Sequence, residues 1–180
     1  MTTSGWARLA GAAMIAATIG APAAARAQQT LDSVTVTAQR RAEDLYQRAI
    51  ALQSTPRRWR QAAYLHQMSA DLRAADDPKG DESLRLGAHL FYHLGDLTAA
   101  RHMMERAAAR AEARGDVVAA ATGYVDAAHV ALEQRAADKA NTLGRRAMTL
   151  AASPLVSARQ RADIARRVRP ELRTAMGEAR

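Results

Sequence analysis

Cysteine is absent from the 180 residues, which excludes disulfides, thiolate metal sites and a cysteine nucleophile. Aromatic residues are scarce, with one Phe, two Trp and four Tyr. β-Branched residues are also few, and the two shortages together argue against a sandwich or barrel. Lysine is nearly missing, 2 against 24 Arg. The chain contains no HExxH, no glycine-rich phosphate loop and no serine in a nucleophile-elbow setting. The expectation is therefore a non-enzymatic protein without a cofactor. Alanine, in contrast, makes up 45 residues, a quarter of the chain, and the net charge is +8. An apolar fraction of 48% excludes global disorder. Alanine and arginine in these proportions point to an all-α fold.

The first 27 residues read as a secretory signal peptide. Arg8 opens a small apolar stretch that ends in Ala25-Arg26-Ala27, a small-x-small cleavage pattern. The stretch has at most 17 residues and contains Gly11, Gly20 and Pro22, whereas a membrane span needs roughly 20 strongly apolar residues. Cleavage after Ala27 would leave 153 residues with a charge of +6, since Arg8 and Arg26 are lost. A periplasmic location is expected. That location argues against nucleic acid as the partner despite a pI near 10.9.

Residues 28–39 read QQTLDSVTVTAQ, and Val34-Thr35-Val36-Thr37 alternates as an extended strand would. No second strand is available to pair with it, so an extended or disordered leader is expected. Residues 31–45 resemble the start of mature outer-membrane receptors that depend on TonB. In that family a VTVTA-type box pairs as a strand with TonB. The resemblance implies a TonB contact at Val34, Thr35, Val36, Thr37 and Ala38, as in a TonB-linked accessory protein. It implies no receptor activity, because the plug and barrel of that family have no counterpart in this sequence.

Helix formers dominate from Arg40 onward, and the breaks are marked by cap residues. Ser54-Thr55-Pro56 and Ala152-Ser153-Pro154 each place a hydroxyl before a proline, the signature of a helix start. Gly80-Asp81, Gly95-Asp96 and Gly115-Asp116 each end one helix and cap the next. These marks predict helices near 40–53, 56–75, 82–94, 96–114, 116–134, 136–151 and 154–168, followed by a basic tail over 169–180. Short turns between such helices impose antiparallel neighbours. Residues 48–56 match residues 146–154 in character at an offset of 98, close to three repeats of about 34. Ala88, Phe91, Gly95, Ala100 and Ala107 resemble the tetratricopeptide consensus of small, aromatic, turn and small residues. Tyr124, Ala128, Ala131, Ala140 and Ala147 form a second copy, with Arg135 at the turn glycine. The resemblance implies stacked antiparallel helix pairs, a solenoid of about seven helices, presenting a groove to a protein or peptide. A closed helical bundle is the alternative.

Candidate sites follow from residue type and spacing. Arg57, Arg58, Trp59 and Arg60 form the densest basic cluster, at the end of a helix where the dipole disfavours positive charge. It suits an anionic partner, or else Trp59 anchors the core and the arginines are solvated. Phe91, Tyr92 and Tyr124 belong either to the core or to the partner groove. His89 and His93 lie one turn apart, and with Met103 and Met104 they are what a metal carrier would use, though without a supporting carboxylate. Residues 159–180 carry seven Arg against three acids, which suits an anionic membrane surface or an acidic protein.

Overall fold

A computed structural model describes residues 21–177. Residues 1–20 of the expected signal peptide lie outside the described residues, as does the end of the basic tail at 178–180. The chain divides into two units, Met1–Gln39 and Arg40–Arg180.

In the first unit the described residues are helical. They belong to α1, Ala21–Gln53. This differs from the extended or disordered leader expected at residues 28–39. Two hydroxyls turn back onto the helix: Ser33 donates to the Thr30 carbonyl and Thr37 to the Ser33 carbonyl, each at 2.8 Å. That local bonding satisfies the polar side chains within one helix, and no strand partner exists among the described residues to reward the alternative. Val34 and Val36 remain 61% and 45% exposed.

The second unit is all-α. After residues 40–53 of α1 come a single helical turn at Pro56–Arg58, then α2 (Trp59–Asp71), α3 (Pro78–His93), α4 (Leu97–Ala113), α5 (Val117–Glu133), α6 (Ala137–Ala151), α7 (Ala158–Arg167) and α8 (Pro170–Ala175). From α2 to α6 each helix packs on the next. Longer side chains join helices two apart. Lys79 of α3 reaches Glu43 of α1, and Tyr92 of α3 donates to Glu133 of α5. Arg106 of α4 pairs with Asp71 of α2, while Glu105 and Glu112 of α4 hold Lys139 and Arg146 of α6. Further on, α7 packs on α5 and α8 on α6. Alternate helices therefore form two rows, odd-numbered and even-numbered, and the core lies between them.

Alanine sets the spacing of the rows. Ala100, Ala107, Ala121, Ala128, Ala140 and Ala147 are all buried along the α4–α6 seams. At Gly123 of α5 a Cβ would stand 3.0 Å from the Ala108 Cβ, tighter than an ordinary contact, so any side chain here presses on α4.

The turns carry their own signature. Gly95, Gly115 and Arg135 all have positive φ, at 76°, 80° and 61°. They recur at equal intervals along the chain, and the one helix pair between Gly95 and Arg135, α4 with α5, is longer than the repeat of about 34 residues suggested by the resemblance. The helices themselves account for the excess, with 17 residues each in α4 and α5. The match between residues 48–56 and 146–154 is not three repeats either, because it pairs an odd-row helix, α1, with an even-row one, α6. Asp96 and Asp116 accept from the Ala99 and Ala119 amides at 3.1 Å, as their capping role requires.

Two predicted helix starts move. Gly80-Asp81 does not separate helices, because α3 begins at Pro78, capped by Asp77 accepting from the Lys79 amide. Gly80 is small for another reason: a Cβ there would run into the Arg110 guanidinium. Ser153-Pro154 does not start α7. Ser157 does, through a reciprocal box with Gln160. The segment set apart as a basic tail contributes α8, whose Leu172 is buried together with Met176.

Candidate functional site

Helix α5 is almost wholly apolar, yet Asp126, His129 and Glu133 fall on one of its faces at three- and four-residue spacing. This face borders a cavity of about 350 Å³ in the odd row. Helix α3 contributes His89 and Tyr92 from one side, and Arg167 and Arg169 come from the end of α7. A small adjoining recess adds Arg85.

The cavity is braced at both ends. His129 Nε2 donates to the Arg167 carbonyl at 3.0 Å, which ties the last residue of α7 to α5. That bond leaves Nδ1 of a neutral His129 as an acceptor. At the other end the Tyr92 hydroxyl donates to Glu133 at 2.9 Å. This bond and burial raise the Tyr92 pKa, against an opposing pull from Arg169. Burial also pushes the Asp126 carboxyl above its ordinary value, while Arg167, His129, His89 and Arg85 pull it down. Among the described residues, no acidic side chain forms an ion pair with Arg85, Arg167 or Arg169. Arg167 and Arg169 thus line the cavity and Arg85 the recess beside it, none of them in a contact ion pair among the described residues, and the half-buried Asp126 feels the charge of Arg167 and Arg85.

A second cavity, of about 310 Å³, opens on the even row between α4 and α6. Its cations are already spent: Arg106 on Asp71, Lys139 on Glu105 at 2.8 Å, and Arg146 on Glu112 at 2.8 Å. Tyr124 lines it with its hydroxyl donating to Glu112 at 3.0 Å and Arg146 over its ring. Burial and that bond push the Tyr124 phenol up to about 12.

The residues singled out from sequence separate accordingly. Phe91 is 1% exposed and belongs to the core. Tyr92 lines the odd-row cavity and Tyr124 the even-row one. His89 faces the odd-row cavity, whereas the His93 ring lies 5.8 Å from Trp59 of α2, so the two histidines have different neighbours. Met103 is buried, and Met104 lines the cavity floor. Among the described residues no three His, Asp or Glu side chains are grouped to hold a metal ion. Trp59 is half-buried, its indole donating to the Gln53 carbonyl at 2.9 Å, while Arg57, Arg58 and Arg60 are exposed. No helix among the described residues is long and apolar enough to cross a membrane. Asp126, His129, Glu133, Arg85, Arg167 and Arg169 were not singled out from sequence. The polar stripe on the apolar α5 was the available signal.

No protein-family model matches the chain, and no curated protein matches it.

Proposed function

We propose that the protein is an exported, tetratricopeptide-like binding module that takes an extended segment of a partner protein into the odd-row cavity, without catalysis. The observation that carries this reading is a set of arginines without a contact ion pair among the described residues: Arg167 and Arg169, from the end of α7 and the link to α8, line the cavity, and Arg85 of α3 lines the recess beside it. A guanidinium with no acid in direct contact can receive a carboxylate or a peptide carbonyl from outside. The half-buried Asp126 provides an acceptor for a backbone N–H. Tyr92 and Met104 supply apolar surface between them. The braces at His129 and Tyr92 keep the walls in place before the partner arrives, which lowers the ordering cost of binding.

The test is a peptide array probed with the protein and with the variant Arg85→Gln/Arg167→Gln/Arg169→Gln. Peptides captured by the parent should lose about tenfold or more in affinity for the variant, at roughly 1.5–3 kcal/mol for a hydrogen bond to a charged group. An array on which both proteins capture the same peptides equally well would refute the assignment of the cavity.

A further inference from the structure

The opening of α2 carries a second surface, independent of the cavity. Arg57, Arg58 and Arg60 are exposed, and among the described residues none of them forms an ion pair. They sit at the end of α2 where the helix dipole is positive, so the fold gains nothing locally from their charge. Along the same helix Arg60, Tyr64 and Met68 follow at four-residue spacing and share one face. Tyr64 is 50% exposed and Met68 45%, although Tyr64 rests edge-on against buried Phe91 at 5.3 Å. Trp59 stands at the cationic end of the stripe, fixed by its bond to the Gln53 carbonyl.

We infer that this face of α2 docks on an anionic membrane surface, with Arg57, Arg58 and Arg60 on headgroup phosphates and Tyr64 and Met68 in the interfacial layer. The charge selects the occupant. A second copy laid against the same patch would bring three arginines against three arginines, so self-association through it is disfavoured. An anionic lipid surface meets the cations and also accepts the exposed tyrosine and methionine beside them. The stripe shares no lining residue with the odd-row cavity, so each surface can be altered without changing a residue of the other.

Co-sedimentation with vesicles of phosphatidylglycerol and phosphatidylcholine, and with phosphatidylcholine alone, tests the inference. The protein should bind only the anionic vesicles, and about 1 M NaCl should release it. Arg57→Gln/Arg58→Gln/Arg60→Gln should raise the lipid concentration for half-maximal binding about 100-fold, and Tyr64→Ser/Met68→Ser should also weaken it. All five positions are outside the core, and helical circular dichroism verifies that the variants remain folded. Equal binding to both vesicle types would overturn the inference. So would anionic-vesicle binding that survives both variants, or binding of soluble polyglutamate without binding of vesicles. The variants keep Arg85, Arg167 and Arg169, so peptide capture by the cavity is scored separately.

Discussion

The first part of the stack, from α1 through α3 to its contact with α4, and the later seams from α4 to α6 are built from different materials. Every buried polar or charged residue among the described ones falls in the first: His66, Ser69, Arg73, Asp81 and Ser83. Arg73 alone reaches Glu43 at 2.8 Å and Asp77 at 3.0 Å, and Ser69 donates to the Ala42 carbonyl. The later seams bury alanines, Val125 and Leu143. A hydrogen-bonded seam is directional and tolerates one register, but it exposes stability to protons. An alanine seam is indifferent to protons and depends on shape.

The contrast can be broken hardest at Asp81. Its carboxylate holds Arg110 at 2.9 Å and Arg114 at 2.5 Å, and its side chain is nearly inaccessible. Asp81→Ala strands the Arg114 guanidinium, leaves Arg110 only the Ala74 and Asp77 carbonyls, and should cost about 3–5 kcal/mol in urea unfolding. Next comes pH. His66 is fully buried, Gln53 Nε2 lies 2.5 Å from its Nε2, and its Nδ1 has no hydrogen-bond partner. Burial lowers its pKa to about 4. The unfolded chain therefore takes up the proton first, and stability should fall by about 3 kcal/mol as pH drops from 6.5 towards 4. His66→Phe should flatten unfolding free energy across that window. A further decline belongs at lower pH, where Glu43, held at about 2 by Gln47, Arg73 and Lys79, gains its proton.

On the alanine side the expected effects are smaller and independent of pH. Gly123→Val overfills the contact with Ala108 and should cost about 1–3 kcal/mol, equally at pH 7 and pH 5. The smallest change is a gain. Arg135 adopts the left-handed conformation that Gly95 and Gly115 adopt freely, and Ala136 offers no side-chain cap. Arg135→Gly with Ala136→Asp should raise stability by about 1 kcal/mol, read as a shift of the urea midpoint at unchanged slope.

Much of the helical frame was legible because its signals are local. Gly95-Asp96 and Gly115-Asp116 act through backbone conformation and the nearest amides, and both turns lie where the residues place them. Gly80-Asp81 misled because both residues answer to α4, through Arg110 and Arg114, and no local pattern reports a partner on the next helix. Ser153-Pro154 misled because a better box, Ser157 with Gln160, follows one turn later. The leader at 28–39, expected as extended or disordered for want of a strand partner, is instead helical, and Ser33 and Thr37 bond back within that helix. Of the candidate site, Tyr92 and His89 were visible as polar or aromatic groups beside a turn. Arg167 and Arg169 read as part of a basic tail, because their position over α5 depends on how α7 folds back.

The even recurrence of the turns gives the chain a parity. Inserting one helix with its turn would move every later helix into the opposite row. Residues that now line the cavity beside Asp126 would be carried to the even side, and the cavity would be lost without any residue of it being changed. Inserting two restores the assignment and only lengthens the stack. Elongation of this fold is therefore permitted by whole helix pairs and forbidden by single helices, a counting rule enforced at Gly95, Gly115 and Arg135 by positive φ.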